Sequence, residues 1–456
     1  MALNAAVVWE VRTTGSDNNG GGFKSTASGT DRSQQDAAQA TLTAASVIHT
    51  TTTQINVSLG DFTVSAADVG NLLQITGGTA TPGFYEITVA DVANNRWTLD
   101  RSAGTAAETV VGAMGGAVAS PAKIGSVVIN GHTVFIKAGT YTMSVNTNNV
   151  SNGKWSKLAL VLVIGYDTTR AWGNTDTKPL LQASVALATM WAGPSNWLYN
   201  IAFDAASQAA TAHVSGGAYT RCSFINNTGA NQMSLASHCT ATTNASTAFG
   251  NLGAGCFYCE AWANTATPFS VSNGTLGYCL SYDNTGAATD GFVLASGSSG
   301  HFFNCLAVNN GRDGFRTGAI SSRAILQNCI AEDNAGWGVN SVANPSITIR
   351  CAFFSNTSGA VTGAKTEVAT LSPSASVFTN AAAGDFSLNN TAGAGADLRA
   401  VGYIDVTGST FPRGLTTTYL DMGVAQHQDA GGGGATVYVP IQTTTVMPIR
   451  TSVVGY

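Results

Sequence analysis

The most regular pattern of apolar and polar positions lies between Asn200 and Asn356, where a six-residue phrase starts with cysteine and ends with asparagine. In each phrase the cysteine and the residue two positions later are small or apolar. Side chains of a strand point alternately to its two faces, so these two positions share a face. Each phrase therefore predicts a short strand with one buried face. The final asparagine is predicted to turn the chain, because asparagine tolerates left-handed backbone geometry.

The phrase occurs seven times, and consecutive cysteines are 17, 20, 20, 26, 24 and 22 residues apart. An eighth, degenerate copy begins at Asn200. Fixed phrases separated by loops of variable length are typical of a solenoid, whose coils stack their strands in register. The pattern predicts an all-β chain folded as a right-handed parallel β-helix with two interior ladders. The cysteine ladder would contain Cys222, Cys239, Cys259, Cys279, Cys305, Cys329 and Cys351, and the asparagine ladder Asn227, Asn244, Asn264, Asn284, Asn310, Asn334 and Asn356.

Metal binding is the alternative explanation for so many cysteines. Metal sites group a few ligands around one ion, whereas these cysteines are spread along the whole repeat. A column of buried, reduced cysteines fits this spacing better, and no metal or cofactor is predicted. Cys256 and Cys259 have the spacing of a redox or zinc half-motif, but spacing alone is a weak signal.

The distribution of strand-sized runs and turns divides the chain into four segments. Residues 1–50 are predicted to form an N-terminal cap or attachment segment, and residues 51–125 a small inserted β module. Residues 126–400 are predicted to form the parallel β-helix. Residues 401–456 comprise a closing segment, a glycine linker at 431–434 and a tail.

The tail from Ala435 to Tyr456 is apolar and rich in β-branched residues, and Arg450 is its single charge. A free segment of this composition tends to aggregate. We expect it to pair with another chain as an assembly element, while the body of the protein folds without it.

The amino-acid composition argues against nucleic acid and membrane as partners of the chain. Charged residues make up 10% of the 456 residues, against about 25% in typical soluble proteins, and the net charge is −5. The chain therefore lacks the basic footprint of a nucleic-acid-binding protein. Its longest apolar run, at 158–165, is strand-sized, so no membrane insertion is predicted. The first residues lack the pattern of a secretory signal, so the cysteines are expected to stay reduced where the protein is made.

Several stretches resemble the right-handed parallel β-helix superfamily, which includes polysaccharide lyases and phage tailspikes. Val134–Tyr141 resembles its early-coil phrase, and Asp385–Leu388 followed by Asp421–Ala425 resembles its closing phrase. Trp9–Phe23 resembles the start of phage virion proteins predicted to have this fold. The resemblance implies the fold over much of the chain. It does not select an activity, because enzymes and structural spikes share this fold.

Enzymes of this superfamily need paired carboxylates, or a basic residue beside calcium-binding acids. The candidates for such a patch are Asp313 and Arg316 on one coil, with Glu332 and Asp333 on the next. The alternative is a solvated or salt-bridged turn, which the recurrence of Asp-Gly-Phe at Asp290 and Asp313 favours.

Outward-facing positions of neighbouring phrases carry large side chains, namely Trp262, Tyr282, Leu306 and Ile330. Such a stripe indicates either a glycan-stacking surface or a protein interface, and a rod with one apolar face suits a homotrimer.

The sequence thus predicts a phage structural protein at the virion surface: a trimeric β-helical spike, fibre or capsid-decorating protein. Its expected partners are other copies of itself and other virion proteins, with host surface polysaccharide as a candidate ligand. The alternative is an extracellular or virion-borne polysaccharide lyase or glycoside hydrolase. A structure that groups two carboxylates on one coil would favour the enzyme.

Overall fold

The computed structural model describes residues 3, 6–125, 127–144, 161–187, 189–192, 196–209, 211–253, 255–318, 322–399 and 421–424. The N-terminal stretch contains β1 (Val7–Val11) and β2 (Gly22–Lys24). A module follows with β3 (Ala40–Leu42), β4 (Val47–Ile48), β5 (Gln54–Asn56), a 3₁₀ turn (Ala66–Asp68), β6 (Leu72–Gly78), β7 (Gly83–Asp91), β8 (Arg96–Leu99) and β9 (Val110–Met114). Next comes the short helix α1 (Pro121–Gly125). No helix among the described residues is long and apolar enough to cross a membrane.

The solenoid strands come next in the chain. They are β10 (Thr133–Lys137), β11 (Thr140–Met143), β12 (Leu162–Tyr166), β13 (Leu180–Ala183), β14 (Trp191–Ala192), β15 (Trp197–Tyr199), β16 (Ala202–Asp204), β17 (Val214–Ser215), β18 (Ala218–Thr220), β19 (Ser223–Ile225), β20 (Leu235–Ser237), β21 (Thr240–Thr242), β22 (Phe249–Leu252) and β23 (Gly255–Phe257). They continue with β24 (Glu260–Trp262), β25 (Phe269–Val271), β26 (Thr275–Gly277), β27 (Leu280–Tyr282), β28 (Phe292–Leu294), β29 (Ser299–Phe303), β30 (Leu306–Val308), β31 (Phe315–Thr317), β32 (Arg323–Gln327), β33 (Ile330–Glu332), β34 (Trp337–Ile349), β35 (Ala352–Phe354) and β36 (Gly359–Val368).

The last described stretch contains β37 (Phe378–Asn380) and β38 (Asp385–Leu388), which pair with each other in antiparallel fashion. Two 3₁₀ turns accompany them, at Ala381–Ala383 and Gly395–Leu398.

Two long sheets run along the solenoid. One has ten strands, in the order β11, β13, β16, β19, β21, β24, β27, β30, β33 and β35, and every neighbouring pair is parallel. The other has seventeen strands and also grows by parallel pairing of successive coils, except where β2 pairs antiparallel with β1. The predicted all-β parallel β-helix is confirmed.

The first strand of the solenoid comes from the N-terminus of the chain. β1 pairs in parallel with β10, so that Trp9 lies opposite Val134. The module of β3–β9 forms a separate seven-stranded antiparallel sheet with its own apolar core. The observed boundaries therefore differ from the predicted ones. Residues 1–50 are divided between the solenoid and the module, because β1 is separated from its partner β10 by the whole module.

The cysteines lie one residue before strands that are in register in the ten-stranded sheet. Ser223, Thr240 and Glu260, which follow the first three, are directly paired with one another in order. All seven cysteines are buried and none forms a disulfide. Most thiols donate to backbone carbonyls, as Cys279 Sγ does to the oxygen of Cys256 at 3.3 Å. The narrow interior thus takes one small polarizable side chain per coil.

The asparagines form a continuous hydrogen-bonded ladder. Asn264 Oδ1 accepts from the backbone N–H and from the side-chain amide of Asn244, both at 2.9 Å. Asn264 Nδ2 in turn donates to Asn284 Oδ1 at 2.8 Å. The same side-chain bond recurs from Asn284 to Asn310, then to Asn334 and to Asn356.

The left-handed residue of each turn is the one before the asparagine, so the predicted role of the asparagine in turning the chain is wrong. These residues have φ between 49° and 58°, and they are Asn226, Thr243, Ala263, Asp283, Asn309, Asp333 and Ser355. The asparagine side chain holds the turn by bonding to the next coil. A second left-handed residue precedes each cysteine, with φ from 48° to 57° at Arg221, His238, Tyr258, Tyr278, Asn304, Asn328 and Arg350.

A third interior ladder is aromatic. The rings of Phe249, Phe269, Phe292 and Phe315 stack with successive centroid distances of 4.8, 4.7 and 4.9 Å. Each such stacked pair contributes about 0.5–1.5 kcal/mol beyond the burial of its area. The two Asp-Gly-Phe repeats supply Phe292 and Phe315, so this repeat builds the core as well as the turn.

Candidate functional site: the outward face of the ten-stranded sheet

The predicted catalytic patch is not assembled. Asp313 is buried, and its carboxylate accepts hydrogen bonds from the backbone N–H of Trp337 and from Asn340 Nδ2, both at 2.8 Å. Arg316 lies 3.7 Å from Asp290 rather than pairing with Asp313. Arg312 also binds the Asp290 carboxylate through two nitrogens. These ion pairs and hydrogen bonds connect one coil to the next. They match the salt-bridged turn, which was the alternative interpretation of the sequence.

Glu332 and Asp333 point to different environments. Glu332 is buried, and its carboxylate accepts from the Ser376 hydroxyl and from the backbone N–H of Val377 at 3.1 Å. Asp333 is exposed at a left-handed turn position. Among the described contacts, nothing joins Asp313 to Glu332. The structure does not bring these side chains into one patch, because the carboxylates of Asp313 and Glu332 are held in separate structural contacts and Asp333 is exposed.

The pH dependence of the contact at Glu332 follows from its burial. Burial raises the pKa of the Glu332 carboxyl, the hydrogen bonds from Ser376 and Val377 lower it, and the charge of Asp333 raises it; the net shift is upward. A carboxyl with a raised pKa in the folded state contributes stability that is present below its unfolded pKa and is lost as the pH rises through the folded pKa. We therefore expect the packing around Ser376 to loosen as the pH rises above the ordinary range of a glutamate and through the raised pKa of Glu332.

This loosening can be followed by near-ultraviolet circular dichroism of the aromatic rings near Glu332. Glu332→Gln should remove the transition, because glutamine does not titrate. Glu367→Gln is the matched control, since Glu367 pairs with Lys365 at the surface and should leave the transition unchanged. A transition of equal size in the Glu332→Gln variant would assign it to another group.

The predicted outward stripe is covered over half its length by the chain itself. From here on, the name closing segment refers to residues 371–399 and 421–424, which begin earlier in the chain than the closing segment predicted within 401–456. Leu306 and Ile330 are 0% and 1% exposed because the closing segment packs over them. Gly423 lies against the Ile330 side chain, and its N–H donates to the oxygen of Asn328 at 2.8 Å. Leu306 and Ile330 are therefore not available as a glycan surface or an interface between subunits, which corrects the prediction.

Trp262 and Tyr282 lie at the edge of the surface that the closing segment covers. Their rings stack at 6.0 Å with an interplanar angle of 15°, and Phe386 of the closing segment packs edge-on against Tyr282 at 4.9 Å. Both side chains are partly exposed. Thr242 lies in register on the other side of Trp262, so one face of the indole is turned toward the strands that the closing segment leaves uncovered.

We call the outward side chains of β16, β19, β21 and β24 the open face. Apart from Ala202 they are partly exposed, and they are Ala202, Asp204, Ser223, Ile225, Thr240, Thr242, Glu260 and Trp262. Four parallel strands span about 14 Å across the sheet. The open face is thus a largely polar strip that ends at the aromatic side chain of Trp262.

Hydrogen bonds along the open face hold its polar groups in place. Lys178 Nζ donates to Ser223 Oγ at 2.7 Å, and Ser223 Oγ lies 2.9 Å from Thr240 Oγ1. On the neighbouring row, Asp204 accepts from Gln182 at 2.9 Å and from Asn226 at 3.0 Å. A ligand with many hydroxyl groups would meet donors and acceptors that are already oriented.

Burial favours the neutral form of two titratable groups, Glu260 of the open face and Lys178 beside it. Burial lowers the pKa of the Lys178 ammonium, and the neighbouring Arg221 lowers it further. Burial raises the pKa of Glu260, while a hydrogen bond with Tyr282 acts in the opposite direction. Glu260 lies in register with Thr240, which lies in register with Ser223, the partner of Lys178. The two shifted groups therefore share one row.

Sequence reasoning identified Trp262 as an outward position but did not single out Lys178 or Asp204. Asp204 closes the degenerate phrase at Asn200, and its outward direction follows from the alternation within that phrase. Lys178 lies in the loop before β13, where no repeat marks its position. Within the described part of the chain, no group of three or more His, Cys, Asp or Glu side chains could hold a metal ion.

Solved structures similar to this chain come from a phage and from polysaccharide-modifying enzymes. The ORF18 protein of Geobacillus virus E2 is 11% identical with a TM-score of 0.39, and the match covers 55% of each chain. Pectate lyase Pel9A is 13% identical with a TM-score of 0.41, over 68% of this chain and 92% of that one. The A-module of the Azotobacter vinelandii mannuronan C-5 epimerase AlgE4 is 14% identical with a TM-score of 0.31, over 53% and 86%.

The chain spans about half the length of the Geobacillus virus E2 protein. No family model and no curated protein sequence matches it.

Proposed function

We propose that this chain is a structural protein of a phage particle that binds host surface glycans through the open face. The observation that carries the glycan part is the row of pre-oriented polar side chains that runs beside the free face of Trp262. The phage part rests on the N-terminal phrase Trp9–Phe23 and its resemblance to virion proteins. Of the charged residues first considered for catalysis, Asp313 and Arg316 contact neighbouring coils and Glu332 contacts the closing segment. Asp333 is exposed.

The binding mode follows from the geometry of the open face. Sugar rings have apolar C–H faces and polar rims, and aromatic side chains pack against the apolar faces. A pyranose placed on Trp262 would extend along the solenoid over Thr242, and its hydroxyls would meet Thr240 and Ser223 on the neighbouring row. Because strands repeat about every 4.8 Å, several coils could contact one oligosaccharide.

Position at the virion surface and contacts with other virion proteins belong to the same proposal. A homotrimer also remains part of it, although Leu306 and Ile330 can no longer form its interface. The tail at 435–456 and the glycine linker, which were expected to act in assembly, lie outside the described residues. Sedimentation of the full chain, compared with a chain lacking residues 431–456, tests both the trimer and the role of the tail.

Replacing Trp262 by alanine should weaken glycan binding at least about tenfold, since loss of stacking of about 1.4 kcal/mol corresponds to that factor. Binding is measured on an array of bacterial surface polysaccharides, with dissociation constants for the glycans that bind. Leu59→Ala, at a side chain 75% exposed on the module, is the control and should bind like the wild type.

Equal binding by the Trp262→Ala variant would contradict the proposed face. Release of new reducing ends or of unsaturated sugars by the wild-type chain would instead support the polysaccharide-degrading enzyme. Mass spectrometry of particles purified from the phage that encodes the chain tests the virion part, and absence of the chain from those particles would overturn it.

A further inference from the structure

Trp172 and Trp197 are the exposed aromatic side chains of the described part of the chain. They are 43% and 41% exposed, and every other described aromatic side chain is less accessible. The two rings contact each other, with centroids 6.3 Å apart. Trp197 belongs to β15 of the seventeen-stranded sheet, and Trp172 to the loop between β12 and β13. This pair is therefore distinct from the open face.

The loop that carries Trp172 is held by its own polar side chains. The Asp176 carboxylate accepts the backbone N–H groups of Asp167, Thr168 and Thr169 at 2.8 to 2.9 Å. Asn174 Nδ2 donates to the oxygen of Ala171 at 2.7 Å. A loop with this many internal bonds presents its exposed tryptophan in a fixed position, so little conformational entropy is lost when a ligand binds.

Tyr199 forms the floor beneath the pair. Its ring lies 4.5 Å from the ring of Trp172, and its hydroxyl donates to the oxygen of Asn174 at 2.7 Å. Tyr199 and Trp197 are in the same strand, so both tryptophans are fixed relative to one rigid element. Trp172 covers Tyr199, but much of both indoles remains exposed to water, which is unfavourable for the fold.

Arg221 lies beside this floor. It follows Thr220, which is paired with Tyr199, and its charge acts on the Tyr199 hydroxyl. Its Nε is buried and has no hydrogen-bond partner, and no acidic side chain among the described residues pairs with it. The Arg221 side chain as a whole is only partly buried, so an anionic group of a ligand can reach the guanidinium and supply the missing partner for its charge.

We propose that Trp172 and Trp197 form a second carbohydrate site, in which Arg221 binds a negatively charged substituent of the sugar. The two indoles pack against the C–H face of a pyranose, and the guanidinium selects sugars that carry a carboxylate or a phosphate. This site goes beyond the open face. The two sites share no aromatic residue, so the tryptophan variants distinguish them, although the charge of Arg221 also acts on Lys178 at the open face.

The test uses the full chain on an array that contains glucuronate-bearing, phosphate-bearing and neutral oligosaccharides. Trp172→Ala and Trp197→Ala should each weaken binding to acidic glycans at least about tenfold. Arg221→Gln should abolish the preference for acidic over neutral glycans, and Arg221→Lys should restore part of it. The two acidic classes on the array show whether the site takes a carboxylate or a phosphate.

The controls separate this site from the open face. Trp262→Ala should leave the acidic preference unchanged, and circular dichroism should show the same β content in every variant. If the Trp172 and Trp197 variants bind acidic glycans like the wild type while Trp262→Ala does not, this second site is overturned and the open face stands. If they bind glycans normally but fail to join the particle, the pair is a protein interface and the carbohydrate site is also overturned.

Discussion

Replacing Asn264 by alanine is expected to lower the free energy of unfolding by roughly 2 to 4 kcal/mol, because a buried polar group left without its partner costs about 1–3 kcal/mol. The variant removes the acceptor of the Asn244 backbone N–H and one of the acceptors of its side-chain amide. It also removes the donor to Asn284 and to the oxygen of Ala241. The ladder would be broken in its middle, where both neighbouring coils depend on it.

Urea denaturation followed by far-ultraviolet circular dichroism measures this effect. Ala263→Gly is the matched control, because Ala263 is the exposed neighbour in the same turn and has φ of 53°. Glycine adopts this backbone conformation without the steric cost that alanine has, so the control should be as stable as the wild type or more stable. If the two variants unfold at the same urea concentration, the asparagine ladder does not stabilise the coils.

Replacing Ile330 by aspartate is expected to detach the closing segment while the solenoid stays folded. An unpaired charge placed under the segment would cost several kcal/mol, and Glu332 beside it already places a carboxyl there. The interior of the solenoid should tolerate the change, since Ile330 faces outward and its neighbour Ala331 faces the core. Detachment would expose Leu280, Leu306 and Val308 to solvent.

Limited trypsin digestion reports the detachment through faster cleavage at Arg399, which is held by Asn390 and by the oxygen of Leu388. A dye that fluoresces on apolar surfaces should bind the variant more strongly. Ile325→Asp is the control, because Ile325 is 39% exposed on the other sheet and should change neither readout. An Ile330→Asp variant with wild-type resistance to trypsin would show that the closing segment is held elsewhere.

The fold was predictable because the sequence contains two regular patterns, the alternation of side chains within each phrase and the repeat of the phrase from coil to coil. Alternation within each phrase defined the buried face of the strand, and the spacing of the cysteines defined the coil. These periods also identified the residues of both ladders. The left-handed positions were harder to predict, because residues such as Thr243, Ala263 and Tyr258 rarely adopt this conformation and are held in it by the neighbouring coils.

The candidate site was less predictable for a different physical reason. The outward position of Ile330 follows from alternation, but its cover comes from residues such as Phe378 and Met422, which are distant in sequence and follow no repeat. The same holds for β1, whose place as the first strand depends on a contact across the inserted module. The Trp172 and Trp197 pair requires knowledge of how one loop folds back onto a strand, which no periodic pattern encodes.

The buried cysteines allow the opening of each coil to be followed separately with a thiol reagent. Each coil from Cys222 to Cys351 contains a thiol that solvent does not reach in the folded chain. A thiol reagent can therefore modify a given cysteine only after its own coil has opened. The order in which the eight buried thiols are labelled during denaturation would record whether the solenoid unravels from one end or opens first in its middle, and no cysteine has to be introduced for this experiment.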